Sequence, residues 1–271
     1  MSAAEHLGGQ GEHSFVVPAY GHSPHLAQCL ESLRAQSSPS QIVISTSTPF
    51  PELQAIATRY DARLWVHGPN AGIGHDWNQA LAAANTPWVT LAHQDDVYLP
   101  EFTARTMALA RATPDAILVC TDYAELLDDG SERRNSAMLA IKRMLLELGF
   151  LGAASIRTPA AKRRLLRFGC PIPCPSVTLR IDRTALRFRE DLKVNLDWEA
   201  WLRLAAGEGA FAYSREVSML HRIHAGSETS AGIRGGVRAQ EDLMMFQTLW
   251  PAPVARLLAR AYAHSYATGA P

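Results

Sequence analysis

Short apolar runs alternate with amphipathic segments through the first half of the chain. The runs have the length of buried strands and lie at residues 15–17, 42–44, 64–66, 88–92 and 117–120. Between them, apolar residues recur every three or four positions, which predicts helices over residues 24–33, 51–60, 73–84 and 100–112. Short strands alternating with helices are typical of an α/β fold, in which helices cover both faces of a mostly parallel sheet.

The first of these helices has a predicted start and a predicted buried face. Ser23 and Pro24 suit the N-cap and the first helical position. Residues at helical spacing form one apolar side, which consists of Leu26, Cys29, Leu30 and Leu33.

The second half of the chain is less regular. Its pattern predicts helices over residues 138–150, 159–168, 197–206 and 238–265, and strands over 176–181 and up to about residue 224. Pro251 and Pro253 interrupt the last helical segment. The tail is expected to pack against the rest of the chain through an apolar stripe of Val254, Leu257, Leu258, Ala261 and Tyr262. A dimer contact or a membrane surface is the alternative for that stripe.

The composition is that of a globular protein without charge imbalance. The 271 residues include 26 basic and 26 acidic side chains, and 47% are hydrophobic, which excludes a disordered or collagen-like chain. A net charge of zero argues against a nucleic-acid binder. No apolar run approaches the roughly 20 residues that span a bilayer, and no secretory signal pattern opens the sequence. With four cysteines, the sequence predicts a reduced, cytoplasmic protein.

Polar residues follow three of the predicted strands, at the point where each strand ends. They occupy residues 19–22, 45–48 and 93–96. In open α/β sheets, ligands bind in the crevice outside the carboxyl ends of the strands. We therefore expect these three segments to line one shared crevice.

Asp95 and Asp96 come directly after a buried strand, on this ligand side. Neighbouring carboxylates repel each other unless a cation or hydrogen bonds neutralise them. Mg²⁺ or Mn²⁺ is typically held by one or two carboxylates together with substrate phosphates. The pair thus fits a metal site for a nucleotide-diphosphate ligand, and capping of the helix near Pro100 is the alternative.

Two further segments carry candidate chemistry. Asp197 opens a predicted helix, where the dipole favours an ionised carboxylate that could act as a general base; a simple N-cap is the alternative. Glu199 is expected to pair with Arg203 on the same helix. Arg222 and His224 alternate along a predicted strand and so share a face. Both suit a phosphate, and the His also suits a metal.

Five segments in this order resemble the family-2 glycosyltransferases of the GT-A fold, over about residues 14–228. They are residues 15–20, 70–78, 94–100, 196–204 and 222–227. The resemblance implies an α/β, GT-A type fold with a Rossmann-like, mostly parallel sheet flanked by helices, followed here by a helical C-terminal tail. It also implies an inverting transfer of a sugar from a nucleotide-diphosphate donor to a hydroxyl acceptor.

The resemblance assigns roles to residues as well. It implies that Asp197 is the catalytic base and that Mg²⁺ or Mn²⁺ is held by Asp95, Asp96 and His224. The spacing of five residues to Pro100 selects Asp95 as the main ligand. The nucleotide sugar would be bound by Pro18, Tyr20, Thr46, Asn70, Gly72, Asn78, His93, Gln94 and Arg222.

The sequence departs from the family pattern at four places. Residues 46–48 are Thr-Ser-Thr where the family usually has Asp-Asp-Gly-Ser, whose Asp contacts the base. His93 replaces the first Asp of the usual Asp-x-Asp, which concerns the ribose contact. Trp77 and Leu196 stand where an Arg and a Glu are common. We expect base recognition to differ in detail while the metal carboxylate and the catalytic base are kept.

The chain is expected to have three parts. Residues 1–13 are polar and are expected to be a flexible leader. The resemblance implies that residues 14–228 are the transferase domain, and the pattern predicts a helical extension over residues 229–271. Within the domain, a nucleotide-binding half reaches about residue 125 and an acceptor half follows it. A basic cluster in that second half is a candidate for an anionic acceptor or lipid headgroups, and a solvated helix face is the alternative; it comprises Arg157, Lys162, Arg163, Arg164 and Arg167.

The expected partners follow from this activity. They are a nucleotide-diphosphate sugar and a glycan or lipid-linked acceptor, as in polysaccharide or other glycoconjugate synthesis, with no nucleic acid and at most peripheral membrane contact. A homodimer is compatible with the sequence. A sugar-phosphate nucleotidyltransferase is an alternative enzyme, although residues 19–23 lack the basic loop that such an enzyme usually has. A degenerate transferase kept as a binding module is the other alternative, and Thr46 and His93 motivate it.

Overall fold

The computed structural model describes residues 11–224, 226, 232 and 235–267. Within them, ten strands form one sheet. The strands are β1 His13–Pro18, β2 Gln41–Thr46, β3 Arg63–Val66, β4 Trp88–Leu91, β5 Val97–Tyr98, β6 Ala116–Leu126, β7 Glu132–Arg133, β8 Ser155–Ile156, β9 Val177–Arg180 and β10 Ala210–Arg222. The helices are α1 Leu26–Arg34, α2 Leu53–Arg59, α3 Ile73–Ala83, α4 Phe102–Ala112, α5 Ala137–Phe150, α6 Pro159–Leu166, α7 Leu196–Ala206, α8 Val237–Gln247 and α9 Ala252–Ala267.

The direction of the strands decides which loops meet. The main order is β3-β2-β1-β4-β9-β6-β10-β5. The first four strands of this order are parallel, as the sequence pattern predicts. β9 then runs antiparallel to both β4 and β6, which the pattern did not indicate. Because two antiparallel pairings restore the original direction and β10 is parallel to β6, the strands β1, β2, β4 and β10 all end at the same edge of the sheet.

Alternate side chains of the strands enter two cores, one on each face. In β1, Phe15 and Val17 pack with α1 and α2, whereas Val16 packs with Trp77 of α3 and with the second half of the chain. This alternation follows from the period of two along a strand. The sheet is therefore covered on both faces, as predicted.

The first helix begins two residues later than the sequence predicts. Its predicted apolar face is buried, but the N-cap is His25 and not Ser23. The Ser23 hydroxyl instead accepts a hydrogen bond from the His25 N–H at 3.2 Å. Such a local bond to the residue two positions on competes with helical hydrogen bonding and delays the helix.

The sheet also takes in the end of the predicted leader. β1 starts at His13, whose side chain is 3% exposed. Its ring nitrogens lie 2.8 Å from the Ser40 hydroxyl and 2.9 Å from the Thr90 hydroxyl. His13 thus belongs to the folded domain because its imidazole links neighbouring elements. Residues 1–10 of the leader lie outside the described residues.

The C-terminal helices pack on the protein's own core. Residues 238–265 are helical with a break before Pro251, and Pro253 lies in the first turn of α9, where a missing N–H is tolerated. The ring centre of Tyr262 lies 6.0 Å from that of Trp198 and 5.8 Å from that of Phe246, with the Phe246 ring in an edge-to-face arrangement. Among the described residues, no helix has both the length and the apolar character to cross a bilayer.

The buried face of α9 is rotated from the predicted stripe. Ala255 and Ala259 line the contact together with Leu258 and Tyr262, whereas Val254 is 38% and Leu257 67% exposed. The small alanines let the helix approach the core closely. The predicted stripe is therefore right for Leu258 and Tyr262 and wrong for Val254 and Leu257.

The predicted basic cluster is largely engaged in structural contacts. Arg157 pairs with Asp115 at 2.9 Å, and Arg164 donates to the carbonyl oxygens of residues 148 and 149. The guanidinium of Arg167 lies 4.0 Å from the Trp250 ring centre. These side chains bind their own chain because carbonyls and an aromatic face lie within their reach.

Lys162 is the most buried member of that cluster, and its removal should be costly. The side chain is fully buried and its ammonium group donates to the carbonyl oxygens of Gly207 at 2.7 Å and Gly209 at 2.9 Å. These carbonyls follow the end of α7. We expect Lys162→Met, which keeps the volume, to lower the free energy of unfolding by about 2–4 kcal/mol because buried acceptors lose their donor. Urea denaturation measures this, with the exposed Lys193→Met as the control; equal stability of the two variants would refute it.

Candidate functional site

The loops that follow β1 and β4 are held together at the common edge of the sheet. The Tyr20 N–H donates to Gln94 Oε1 at 3.1 Å, and Gln94 Nε2 donates to the Tyr20 carbonyl oxygen at 3.2 Å. Pro18 is the last residue of β1. The structure therefore brings these three predicted residues to one place, as expected from the direction of the strands.

Asp95 receives contacts from both candidate residues near the end of β10. His224 Nε2 lies 2.8 Å from Asp95 Oδ2, and Arg222 Nε donates to the Asp95 carbonyl oxygen at 2.7 Å. The prediction that Arg222 and His224 reach the same place is confirmed. Arg222 also donates to Gln28 Oε1 at 2.6 Å. Gln28 was missed, since a polar residue on an amphipathic helix gives no sequence signal.

Asp96 is fully buried and already has partners. Its Oδ1 accepts from the Arg222 N–H at 2.8 Å and lies 3.0 Å from His221 Nδ1. Burial opposes protonation of His221, but Asp96 and Asp95 prevail and raise the pKa of that imidazole. α4 begins at Phe102 without a side-chain cap, so the capping alternative is not what the structure shows. Asp96 instead connects the loop after β4 to the end of β10 through these two contacts.

His93 lies against Trp77 beside the two carboxylates. The two ring centres are 5.1 Å apart, and burial lowers the pKa of His93. Its Nε2 has no hydrogen-bond partner in the part of the chain that the structure describes. Burial would raise the pKa of Asp95, but His93, the hydrogen bond from His224 and the charge of His221 hold it below its ordinary value.

The donor atoms at this edge fit a divalent cation. His93, Asp95 and Asp96 each offer a ligand atom, and these atoms lie within 4.8 Å of one another. His224 adds an imidazole nitrogen next to Asp95. Carboxylate oxygens suit both Mn²⁺ and Mg²⁺, and substrate phosphates supply further oxygens. The residues present therefore fit the metal that the sequence predicts.

Asp197 lies at the second position of α7, not at its N-cap. The N-cap residue is Asn195, and Asp197 Oδ1 accepts a hydrogen bond from the Trp198 N–H at 2.7 Å. Burial raises the pKa of Asp197, against the lowering effects of that hydrogen bond, Lys142, Arg238 and His93. The predicted effect of the helix dipole is thus outweighed by desolvation. Asp197 and His93 each affect the pKa of the other, so the two side chains interact electrostatically.

The loops after β2 and β3 supply the remaining predicted binding residues. Thr46 Oγ1 accepts from the Thr48 N–H at 3.0 Å, and Asn70 Nδ2 donates to the Ser47 hydroxyl at 3.2 Å. Gly72 is the N-cap of α3 with φ of 102°, a conformation that favours glycine, and its N–H donates to Asn70 Oδ1. These residues form one hydrogen-bonded corner at the same edge.

Asn78 does not reach the crevice. It is 7% exposed, and its amide nitrogen donates to the Phe188 carbonyl oxygen at 2.9 Å and to Glu190 Oε1 at 3.0 Å. Its amide oxygen accepts from the Phe188 N–H at 2.7 Å. The structure thus places Asn78 in the packing between α3 and a later loop, where its polar atoms are used. Ser227, which belongs to the predicted closing segment, lies outside the described residues.

The interactions of α7 agree with its predicted pattern. Arg203 donates to Glu199 at 2.8 Å, so this pair is formed as predicted. Trp198 and Trp201 are fully buried, and their indole N–H groups donate to backbone carbonyls. The helix that carries Asp197 is therefore rigidly held.

Residues 14–183, more than half of the chain, match the family described as Glycosyl transferase family 2. A comparison with curated proteins finds no match.

Solved structures with a similar fold include TarS 1–349 from S. aureus, with a TM-score of 0.60 and 15% identity over 92% of this chain and 69% of that chain. The same protein in complex with UDP-GlcNAc gives a TM-score of 0.62 at 15% identity, covering 92% and 70% of the two chains. The mannosyltransferase PcManGT from Pyrobaculum calidifontis, in complex with GDP-Man and Mn²⁺, gives 0.59 at 16% identity, covering 93% and 70%. At these identities the likeness shows a shared fold.

Proposed function

The chain belongs to glycosyl transferase family 2 and has the GT-A fold of a glycosyltransferase, and from this premise we propose an inverting transfer of a sugar from a nucleotide-diphosphate donor to a hydroxyl acceptor. The observation that carries the proposal is the meeting of Asp95, His224 and Arg222 at one sheet edge. We assign Asp197 to the same crevice, and its electrostatic interaction with His93 supports this. These groups are what a single displacement requires.

Asp95 and His224 are the residues that would hold Mg²⁺ or Mn²⁺, with His93 beside them. Asp96 is the weaker candidate because its carboxylate already binds His221 and the Arg222 N–H. When bound, the cation neutralises the diphosphate and the charge that develops on it. The complex of PcManGT with GDP-Man and Mn²⁺ supports a cation at the donor site.

Asp197 is the proposed general base. The acceptor oxygen attacks the anomeric carbon on the face opposite the diphosphate, and its proton moves to the Asp197 carboxylate. The new glycosidic bond forms as the bond to the diphosphate oxygen breaks, so the nucleoside diphosphate leaves with that electron pair. No covalent nucleophile is needed, since one base suffices for a single displacement.

The donor would be bound by the loops that follow β1, β2 and β3. Tyr20 is 59% exposed there, and Thr46, Asn70 and Gly72 hold the loops in place. We place the donor against residues 14–125 and the acceptor toward residues 126–228. The acceptor is a glycan or lipid-linked molecule, and the product is a polysaccharide or another glycoconjugate.

A thermal-shift panel of nucleoside diphosphates tests the proposal directly. We expect one diphosphate to raise the melting temperature strongly in Mn²⁺ and weakly in EDTA. Specific binding stabilises the folded state by about 2.7 kcal/mol at a hundredfold excess over Kd. The matching nucleoside without phosphates is the control. If no nucleoside diphosphate stabilises the protein with or without a cation, the proposal is wrong, and binding without transfer to any acceptor would favour the binding-module alternative.

A further inference from the structure

The α5 helix exposes apolar side chains along one whole face. One side of the helix packs in the core, yet the opposite side is apolar as well. Ile141, Met144, Leu148 and the C-cap residue Leu151 form this exposed α5 face, and each is between 44% and 67% exposed. A helix that is apolar on all sides is normally buried on all sides. We therefore expect a partner to cover the exposed α5 face.

The charged side chains of α5 are all directed to partners on neighbouring strands. Lys142 donates to the Tyr123 hydroxyl at 2.7 Å, Arg143 pairs with an aspartate of β6, and Glu147 pairs with an arginine of β10. The remaining residues of α5 carry no polar side chain at all. The exposed α5 face is thus not a solvated helix face with a few apolar residues on it.

Arginines of α6 border the exposed α5 face. α6 buries residues on one side, which leaves Arg163, Arg164 and Arg167 on the other. Arg164 donates to the carbonyl oxygen of Leu148 at 3.1 Å, so its guanidinium adjoins the exposed α5 face. Arg167 lies over the Trp250 ring. A carbonyl oxygen or an aromatic ring does not cancel a full positive charge, so this border stays cationic.

The charge of this region differs from that of the whole chain. Residues 137–168 contain seven basic residues and one acidic residue, whereas the net charge of the chain is zero. A second copy of the chain is an unfavourable partner, because a two-fold contact brings the same arginines towards each other. An apolar helix face bordered by arginines suits the headgroup region of an anionic bilayer. The charge therefore favours a lipid surface over a second copy.

We propose that α5 and α6 form a docking surface for an anionic membrane. Ile141, Met144 and Leu148 enter the boundary between headgroups and acyl chains, and Arg163 and Arg164 bind the lipid phosphates. The contact is peripheral, since only one face of α5 enters the bilayer. This inference stands on the two helices and does not require the proposed reaction.

The docking surface lies close to the candidate site. The Tyr123 hydroxyl, which accepts from Lys142 of α5, belongs to a ring whose centre is 6.1 Å from that of His221. His221 Nδ1 in turn lies 3.0 Å from Asp96. A docked membrane would therefore present a lipid-linked acceptor beside the crevice, and this consequence alone rests on the proposed function.

Co-sedimentation of the full chain with vesicles tests the inference. We expect the protein to bind vesicles of equimolar phosphatidylglycerol and phosphatidylcholine, and to bind phosphatidylcholine alone much more weakly. Added salt should weaken the binding, because it screens the headgroup charge. The double variant Met144→Gln, Leu148→Gln should bind at least about tenfold more weakly, since it removes apolar area that enters the bilayer. Arg163→Gln should bind about fivefold more weakly.

Leu257→Gln and Arg59→Gln are the matched controls. Leu257 is an exposed apolar residue of α9, and Arg59 is exposed on α2, which packs on the other face of the sheet. Both should bind the anionic vesicles as the wild type does. Gln has a helix propensity close to that of Met, Leu and Arg, so all variants should keep the wild-type melting temperature.

Two outcomes would overturn the inference on vesicle binding alone. They are the absence of binding to the anionic vesicles and binding that the double variant leaves unchanged. A dimer that the double variant dissociates, seen by sedimentation equilibrium without any vesicle binding, would assign the exposed α5 face to a second copy instead. Mn²⁺-dependent binding of a nucleoside diphosphate should be equal in the wild type and the double variant, so failure of this inference is distinguishable from failure of the proposed function.

Discussion

Replacement of Asp197 by Asn is expected to slow glycosyl transfer by about 10²–10⁴-fold while the fold and donor binding are retained. General-base catalysis by a positioned side chain contributes a factor of this size. The Asn side chain keeps an oxygen that can accept the Trp198 N–H, which Asp197 Oδ1 accepts at 2.7 Å. The N-cap of α7 is Asn195 and is not altered. Single-turnover transfer assays and melting temperatures measure the two effects separately.

The pH dependence of transfer gives a second measurement of the same role. The base acts only when ionised, and burial raises the pKa of Asp197 above its ordinary value. Activity should therefore fall, as the pH decreases, at a higher pH than an ordinary aspartate would require. Glu199→Gln is the matched control, because Glu199 lies in the same turn and pairs with Arg203. Wild-type transfer rates in Asp197→Asn would remove Asp197 from the mechanism.

Local patterns predict the parts of the fold that depend on nearby residues. The alternation of strands and helices up to β4 is confirmed, because each element there buries one apolar face of its own. The rule that ligands bind at the carboxyl ends of strands then brought Tyr20, Gln94 and Asp95 to one edge. For this reason the crevice was predictable without knowledge of the whole topology.

Contacts between residues that are distant in the sequence were not predictable from it. Arg222 and Gln28 are separated by 194 positions, and their hydrogen bond leaves no periodic signal in either segment. The partner of Asp96, His221, was missed for the same reason. The periodicity of apolar residues predicts which face of a helix or strand is buried. It does not predict which side chain of another element contacts that face.

Two polar residues differ from their predicted roles because they are buried. Asn78 fits a family pattern, yet its amide is fully used by Phe188 and Glu190. Asp197 was expected to be a carboxylate favoured by the helix dipole, and desolvation instead raises its pKa. Both outcomes depend on how tightly a loop or a neighbouring helix covers the residue, which a spacing of residue types does not report.

Replacement of Asp95 by Ala is expected to weaken Mn²⁺-dependent binding of the preferred nucleoside diphosphate by at least about a hundredfold. Loss of residues that merely orient metal ligands typically lowers metal affinity 10–100-fold, and removal of a ligand itself should have a larger effect. Asp95 also accepts the hydrogen bond from His224. In the variant, the His224 ring loses this bond and is no longer held in its present orientation. Calorimetric titration of the diphosphate with and without Mn²⁺ measures the loss.

Asp96→Asn is the matched control at the neighbouring position. The Asn oxygen can still accept the Arg222 N–H that Asp96 Oδ1 accepts at 2.8 Å, so β10 should stay fastened and the metal dependence should remain within a few fold of wild type. The contact with His221 is weakened, because the raised pKa of that imidazole depends on the charge of Asp96, and stability should fall more than binding. The opposite pattern, in which Asp96→Asn abolishes Mn²⁺-dependent binding and Asp95→Ala preserves it, would move the main metal ligand from Asp95 to Asp96. The carboxylate that binds the cation is expected to be the one that faces the crevice beside His224, since the other already binds a backbone N–H and an imidazole in the interior.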